Sequence, residues 1–134
     1  MEDYADAAQR HFDDAKLLHT QVPSRLANAS HLYGFAAECA LKCMMLGRGN
    51  SGRVPKGSIG HLPLLLQELK NHSIANGNAA LLIRIKKSAT GLSEWRVEQR
   101  YDKQSAFSAQ IVGAEADSAR KLRALSLQYL RGII

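Results

Sequence analysis

The sequence predicts an all-α protein, an antiparallel up-and-down bundle of four to five helices, and three observations carry that reading. Apolar residues recur at three- and four-residue spacings along most of the chain. β-Branched residues are sparse and show no period-two alternation that would mark a strand. Proline and glycine gather in a few short tracts that punctuate the helical segments.

The first helix is expected over residues 3–20, with Ala8, Phe12, Ala15 and Leu18 or His19 inward. Val22-Pro23-Ser24 connects it to the central helix, residues 25–46. Within residues 29–46 the only formal charges are Glu38 and Lys42, and apolar residues surround the helix on nearly every side. This helix should therefore be the most buried. Glu38 stands four residues ahead of Lys42, the better order for an ion pair along one helical face. The expectation is an internal pair, tethered further through Arg100. The alternative is that the two residues floor a groove for a nucleotide or RNA backbone.

Gly47, Gly49 and Gly52 open a basic loop with Arg48, Arg53 and Lys56 that continues to Gly60. It lacks the Gly-Lys-Ser/Thr ending that cradles phosphate in a P-loop. A third helix starts around His61 to Pro63, with Leu62, Leu65, Leu66 and Leu69 on one face and His61 as a cap. After a turn over 71–78, a fourth helix over 79–90 turns Leu81, Leu82, Ile85 and Ala89 inward. Residues 90–104 form a polar, aromatic-bearing connection. The last helix is expected over 105–132, with Phe107, Ile111, Ala114, Leu122, Leu125, Tyr129 and Ile133 as its stripe.

At 134 residues, with 46% hydrophobic and 22% charged, the chain has the size and composition of one globular domain spanning 1–134. No apolar run approaches the roughly 20 residues that cross a bilayer, and the acidic start Met-Glu-Asp-Tyr-Ala-Asp is unlike a signal peptide. A cytoplasmic protein without membrane attachment is expected. Cys39 and Cys43, four apart on one helix, are badly placed for a disulfide and read as buried thiols. No metal site or cofactor is expected, because no histidine pair completes a four-ligand set with them.

Eighteen Lys+Arg against twelve Asp+Glu give a formal charge of +6, which favours an anionic partner. Within the connection, Trp95, Arg96, Arg100, Tyr101 and Lys103 interleave aromatics that stack on bases with cations that meet phosphates. The competing reading has Trp95 and Tyr101 plugging the end of the bundle. Arg120, Lys121, Arg123 and Arg131 read as the solvated face of the final helix. The sequence contains no nucleophile elbow or dinucleotide fingerprint.

Taken in order, Ala-Ala-Glu-Cys-Ala-Leu-Lys at 36–42, Gly-His-Leu at 60–62, and Trp95 with Arg100-Tyr101 before a long final helix resemble the HEPN (higher eukaryotes and prokaryotes nucleotide-binding) family. The resemblance implies a HEPN-like bundle, commonly a homodimer, often encoded beside a nucleotidyltransferase-like partner. It also implies an RNA- or nucleotide-binding role in a toxin–antitoxin or defence-type system. Nuclease members of the family use an Arg, four to six residues, then a His, placed late in the chain. Here Arg100 stands in that region, but Ser105, Ala106 and Phe107 occupy the histidine positions. Arg25 and His31 match the bare spacing at the start of the central helix, about 120° apart on a helical wheel, and read as a coincidence. The expectation is a binding module without the usual nuclease motif. The alternative is a metal-independent RNase using Arg25 and His31 or a constellation around Arg100. The apolar end of the last helix, Tyr129, Leu130, Ile133 and Ile134, adds its own argument for a homodimer.

Overall fold

Asp3 begins the helical part of the chain by accepting the Asp6 N–H at 3.1 Å, an N-cap that starts α1 (Tyr4–Thr20) one residue later than expected. The computed structural model describes residues 2–46, 53–54, 60–62, 64–68 and 79–132. Apart from the backbone of Arg53 and Val54, the expected basic loop over 47–59 lies outside them, as do Leu69, the turn over 71–78, Ile133 and Ile134. The protein is helical, with α2 (Leu26–Leu46), α3 (Leu64–Glu68), α4 (Ala79–Ser88) and α5 (Ala109–Leu130) following α1. One feature departs from an all-helical reading. Glu2–Asp3 pairs antiparallel with Arg53–Val54 as a two-residue ladder, too short to leave any alternation in the sequence.

The α1–α2 pair is an antiparallel hairpin, since His19 meets Tyr33, His11 meets Phe35 and Tyr4 meets Lys42 in descending order. α2 is the centre of the molecule, with Ala36, Ala37, Ala40, Leu41 and Met44 fully enclosed. Its alanines let α1 and α5 approach closely, and burial of the larger side chains provides the main drive for folding. The inner faces expected for the first, third and fourth helices are the buried ones: Ala8 and Ala15, Leu62 and Leu65, then Leu81, Ile85 and Ala89.

The last helix differs from expectation in its start and in the phase of its first half, while Leu122 and Leu125 are buried and Tyr129 packs on the core as expected. Residues Gln104–Ala106 form a separate 3-10 turn, and Ser108 caps α5 by accepting the Ile111 N–H at 3.1 Å. The buried stripe runs through Val112, Glu115, Ala119, Leu122 and Leu125, whereas Ala114 is exposed and Ile111 is 53% exposed. Glu115 and Ser118, two polar residues, occupy inner positions and disguise the phase. Gly132 ends the helix at φ +75°, a conformation suited to glycine.

Residues 90–106 pack as three short 3-10 turns, clamped to the start of α2. Trp95 Nε1 donates to the Ser30 carbonyl at 2.9 Å, and Gln99 Nε2 donates to the Ser30 hydroxyl at 2.6 Å. Gln104 Oε1 accepts the Ala27 N–H at 2.9 Å. The residue ahead of α2 is Arg25, whose side chain cannot accept, so a distant glutamine satisfies one of the helix's free donors.

Candidate functional site

His31, Phe35, Glu38 and Lys42 follow one another at four-, three- and four-residue steps, which places them on one face of α2. Around Phe35, half-buried, the fold gathers three histidines from three parts of the chain. His31 lies 4.4 Å away between ring centroids, His11 of α1 5.8 Å, and His61 6.4 Å. Trp95 closes the inner side, edge-on to Phe35 at 5.9 Å and stacked on His31 at 6.1 Å.

Glu38 and Lys42 do not form the expected ion pair; among the described residues each has a different partner. The buried Glu38 carboxylate accepts the Leu62 N–H at 2.9 Å and bonds His61 Nδ1 at 3.1 and 3.2 Å. Lys42 Nζ instead sits 5.1 Å over the Tyr4 ring, with its stem buried. Glu38 thus provides the cap expected of His61, because only its carboxylate reaches the backbone N–H ahead of α3. The His61 side chain is 52% exposed and carries this anion's partner to the surface. Nor does Arg100 tether Glu38: it is exposed, and its guanidinium lies 4.9 Å over the Tyr101 ring.

Arg100 acts on His31. Burial lowers the His31 pKa first, and the positive charges of Arg100 and His11 lower it further, so the imidazole is neutral at pH 7. His31 Nδ1 is enclosed and has no hydrogen-bond partner among the described residues. Burial and Arg10 likewise lower His11. Arg25 is exposed ahead of α2, its carbonyl accepting the Ala29 N–H, and the arginine whose charge reaches His31 is Arg100. The connection that carries Arg100 is fastened beside His31 by the bonds of Trp95 and Gln99 to Ser30.

Of the interleaved aromatics and cations, Trp95 is 1% exposed and belongs to the core, so its faces are closed to a stacking base. Glu38 and Lys42 are buried as well and offer no charge for direct surface contact. Arg96, Arg100, Tyr101 and Lys103 are on the surface, Tyr101 being 79% exposed.

Two features escaped the sequence reading. His11 joins the cluster only through the α1–α2 pairing, and no local signal marks it. Arg120 and Lys121 are more than a solvated face: with Arg84 and Lys87 of α4 they line a groove between α4 and α5. Asp117 pairs with both α5 cations, at 2.7 and 2.8 Å. Cys39 and Cys43 are buried thiols whose pKa values burial pushes up to about 12, leaving them unreactive. Among the described residues no cluster of His, Cys, Asp and Glu is grouped to hold a metal ion, and no helix is long and apolar enough to cross a membrane. Compared with protein families, curated proteins and solved structures, the chain matches none.

Proposed function

We propose that this chain is a HEPN-like module that binds RNA or a nucleotide through the surface running from Tyr101 and Arg100 to His31, Phe35 and His61. The observation that supports this reading is the exposed Tyr101 ring with the Arg100 guanidinium 4.9 Å over it, on a connection that Trp95 and Gln99 fasten to Ser30, next to His31. A guanidinium meets phosphate through a planar fork of donors, and exposed aromatic faces accept stacked bases. Arg96 and Lys103 extend the positive surface along the same connection. A cytoplasmic homodimer working with a nucleotidyltransferase-like partner, in a toxin–antitoxin or defence-type setting, completes the proposal.

The test is binding of a fluorescently labelled single-stranded RNA, followed by anisotropy at several salt concentrations. Binding should weaken with salt and fall about tenfold or more in Arg100→Ala, with Tyr101→Ala losing a comparable stacking contribution of about 1–3 kcal/mol. Binding unchanged in both variants would overturn the proposal.

A second reading, metal-independent RNA cleavage, draws on a different observation. His31 is half-buried and neutral, and the charge of Arg100 helps to keep it so. Such an imidazole suits proton abstraction from a ribose 2′-hydroxyl, with Arg100 stabilising the charge that develops on phosphate. Cleavage in EDTA that falls about 10²- to 10⁴-fold in His31→Ala would favour it over simple binding.

A further inference from the structure

Away from the histidine face, the 3-10 connection and the first half of α5 enclose a cavity of about 410 Å³. Phe107 supplies aromatic surface, and Ile111 and Ala114 supply aliphatic surface, with the buried Trp95 also among the lining residues. Glu115 reaches this cavity from the buried stripe of α5. Its residue is 3% exposed, and its Oε1 has no hydrogen-bond partner among the described residues. A buried carboxylate oxygen without a donor is costly, so the position calls for a partner that the described residues do not provide.

The surroundings say what kind of partner fits. The Ser30 hydroxyl of α2, which already accepts from Gln99 Nε2 at 2.6 Å, is the one side-chain bond that favours the ionised carboxylate. The charged residues lining the cavity are Glu94, Asp102 and Glu115 against a single cation, Arg96. An acidic cavity in a chain of net charge +6 is out of keeping with the rest of the molecule. One aromatic wall at Phe107, a deep unpaired oxygen and an excess of acidic lining residues together select a planar organic cation.

We propose that this cavity is a binding site for a planar organic cation, such as an amidine, a guanidine or a protonated amino-heterocycle, held by Glu115. The cationic N–H groups donate to Glu115 Oε1 as a charge-assisted bond, and the flat body lies against Phe107. Burial raises the Glu115 pKa from 4.5 to about 7, so the empty site is about half protonated at neutral pH. Binding a cation requires the ionised form and releases that proton. Affinity therefore rises as pH rises through 7.

Benzamidine is the probe, with benzyl alcohol and benzoate as its neutral and anionic counterparts. Trp95, the only tryptophan in the chain, reports occupancy by its fluorescence. Benzamidine should bind in the millimolar range or tighter, about 30-fold more tightly at pH 8 than at pH 5.5. Glu115→Gln should lose about tenfold or more in affinity at pH 8 and lose the pH dependence, while retaining the helical circular dichroism of the parent. Ala114→Phe leaves Glu115 in place and narrows the mouth, and should also lose binding. Benzyl alcohol and benzoate should bind at least tenfold more weakly than benzamidine. No benzamidine binding at 10 mM, equal binding of benzoate, or unchanged affinity in Glu115→Gln would each overturn the proposal.

Discussion

The indole of Trp95 lies against Gly34 so closely that a Cβ at position 34 would overlap the ring. The glycine is there for space. Trp95 is held in this place from the other side by its 2.9 Å bond to the Ser30 carbonyl, one turn earlier on the same helix. Gly34→Ala must displace the indole or the whole 3-10 connection, and the usual gain of alanine over glycine in a helix, about 1 kcal/mol, is outweighed. The expected net loss is about 1–3 kcal/mol, read as a lower midpoint in urea denaturation with an unchanged slope. A stabilised Gly34→Ala protein would show that Trp95 is not fixed against α2.

Glu38 joins α2 to the start of α3 by accepting the Leu62 N–H, and it draws His61 over the same carboxylate. Glu38→Ala leaves that N–H without its acceptor and should cost about 1–3 kcal/mol. The Leu62 amide should exchange hydrogen much faster while amides in the middle of α2, such as Leu41, change little. Glu38→Gln keeps a carbonyl oxygen for Leu62 and should retain most of the protection. Equal protection of Leu62 in wild type and Glu38→Ala would remove the proposed cap.

These two contacts show what the sequence conveys and where it stops. The inner faces of α1, α3 and α4 were legible because their buried residues are apolar and regularly spaced. The phase of the first half of α5 was not, since Glu115 and Ser118 sit where apolar residues would be expected, whereas Leu122 and Leu125 further on were. Likewise Glu38 and Lys42 have the spacing of an ion pair, but spacing says nothing of a competing N–H from Leu62 or a ring from Tyr4. Arg100 was legible as a site candidate and so was His31, each in its own segment. Their proximity depends on how residues 95–104 fold back onto the first turns of α2, through Trp95, Gln99 and Gln104, and no local pattern encodes it.

Glu115 gives the protein a definite pH signature. Its folded pKa is raised to about 7 by burial, so between 4.5 and 7 the folded state holds a proton that the unfolded state releases. The associated stability is fully present below about pH 4.5 and is lost as pH rises through 7, by about 3 kcal/mol in all. His11 and His31 act in the opposite sense. Their folded pKa values are lowered, so the unfolded state binds more protons and stability falls as pH drops below about 6.5. Comparing Glu115→Gln with wild type cancels the histidines. The variant should be the more stable at pH 8 by up to about 3 kcal/mol, with the difference gone below pH 4.5. A difference that does not change with pH would mean that folding leaves the Glu115 pKa unshifted.

Arg100 and His31 are joined by charge, and that link can be measured without any ligand. The guanidinium disfavours the imidazolium, so Arg100→Ala should raise the His31 pKa toward 6.5, while burial keeps it below that value. Arg100→Lys keeps the charge and should leave most of the depression in place. The readout is the pH titration of the His31 ring protons by NMR. Raising the salt concentration should mimic Arg100→Ala in part, because Arg100 is exposed and its field is screened. If the His31 titration is the same in wild type and Arg100→Ala, the two residues are not coupled. The cleavage reading would then lose the cation on which it depends, and RNA binding through Arg100 would have to stand without His31.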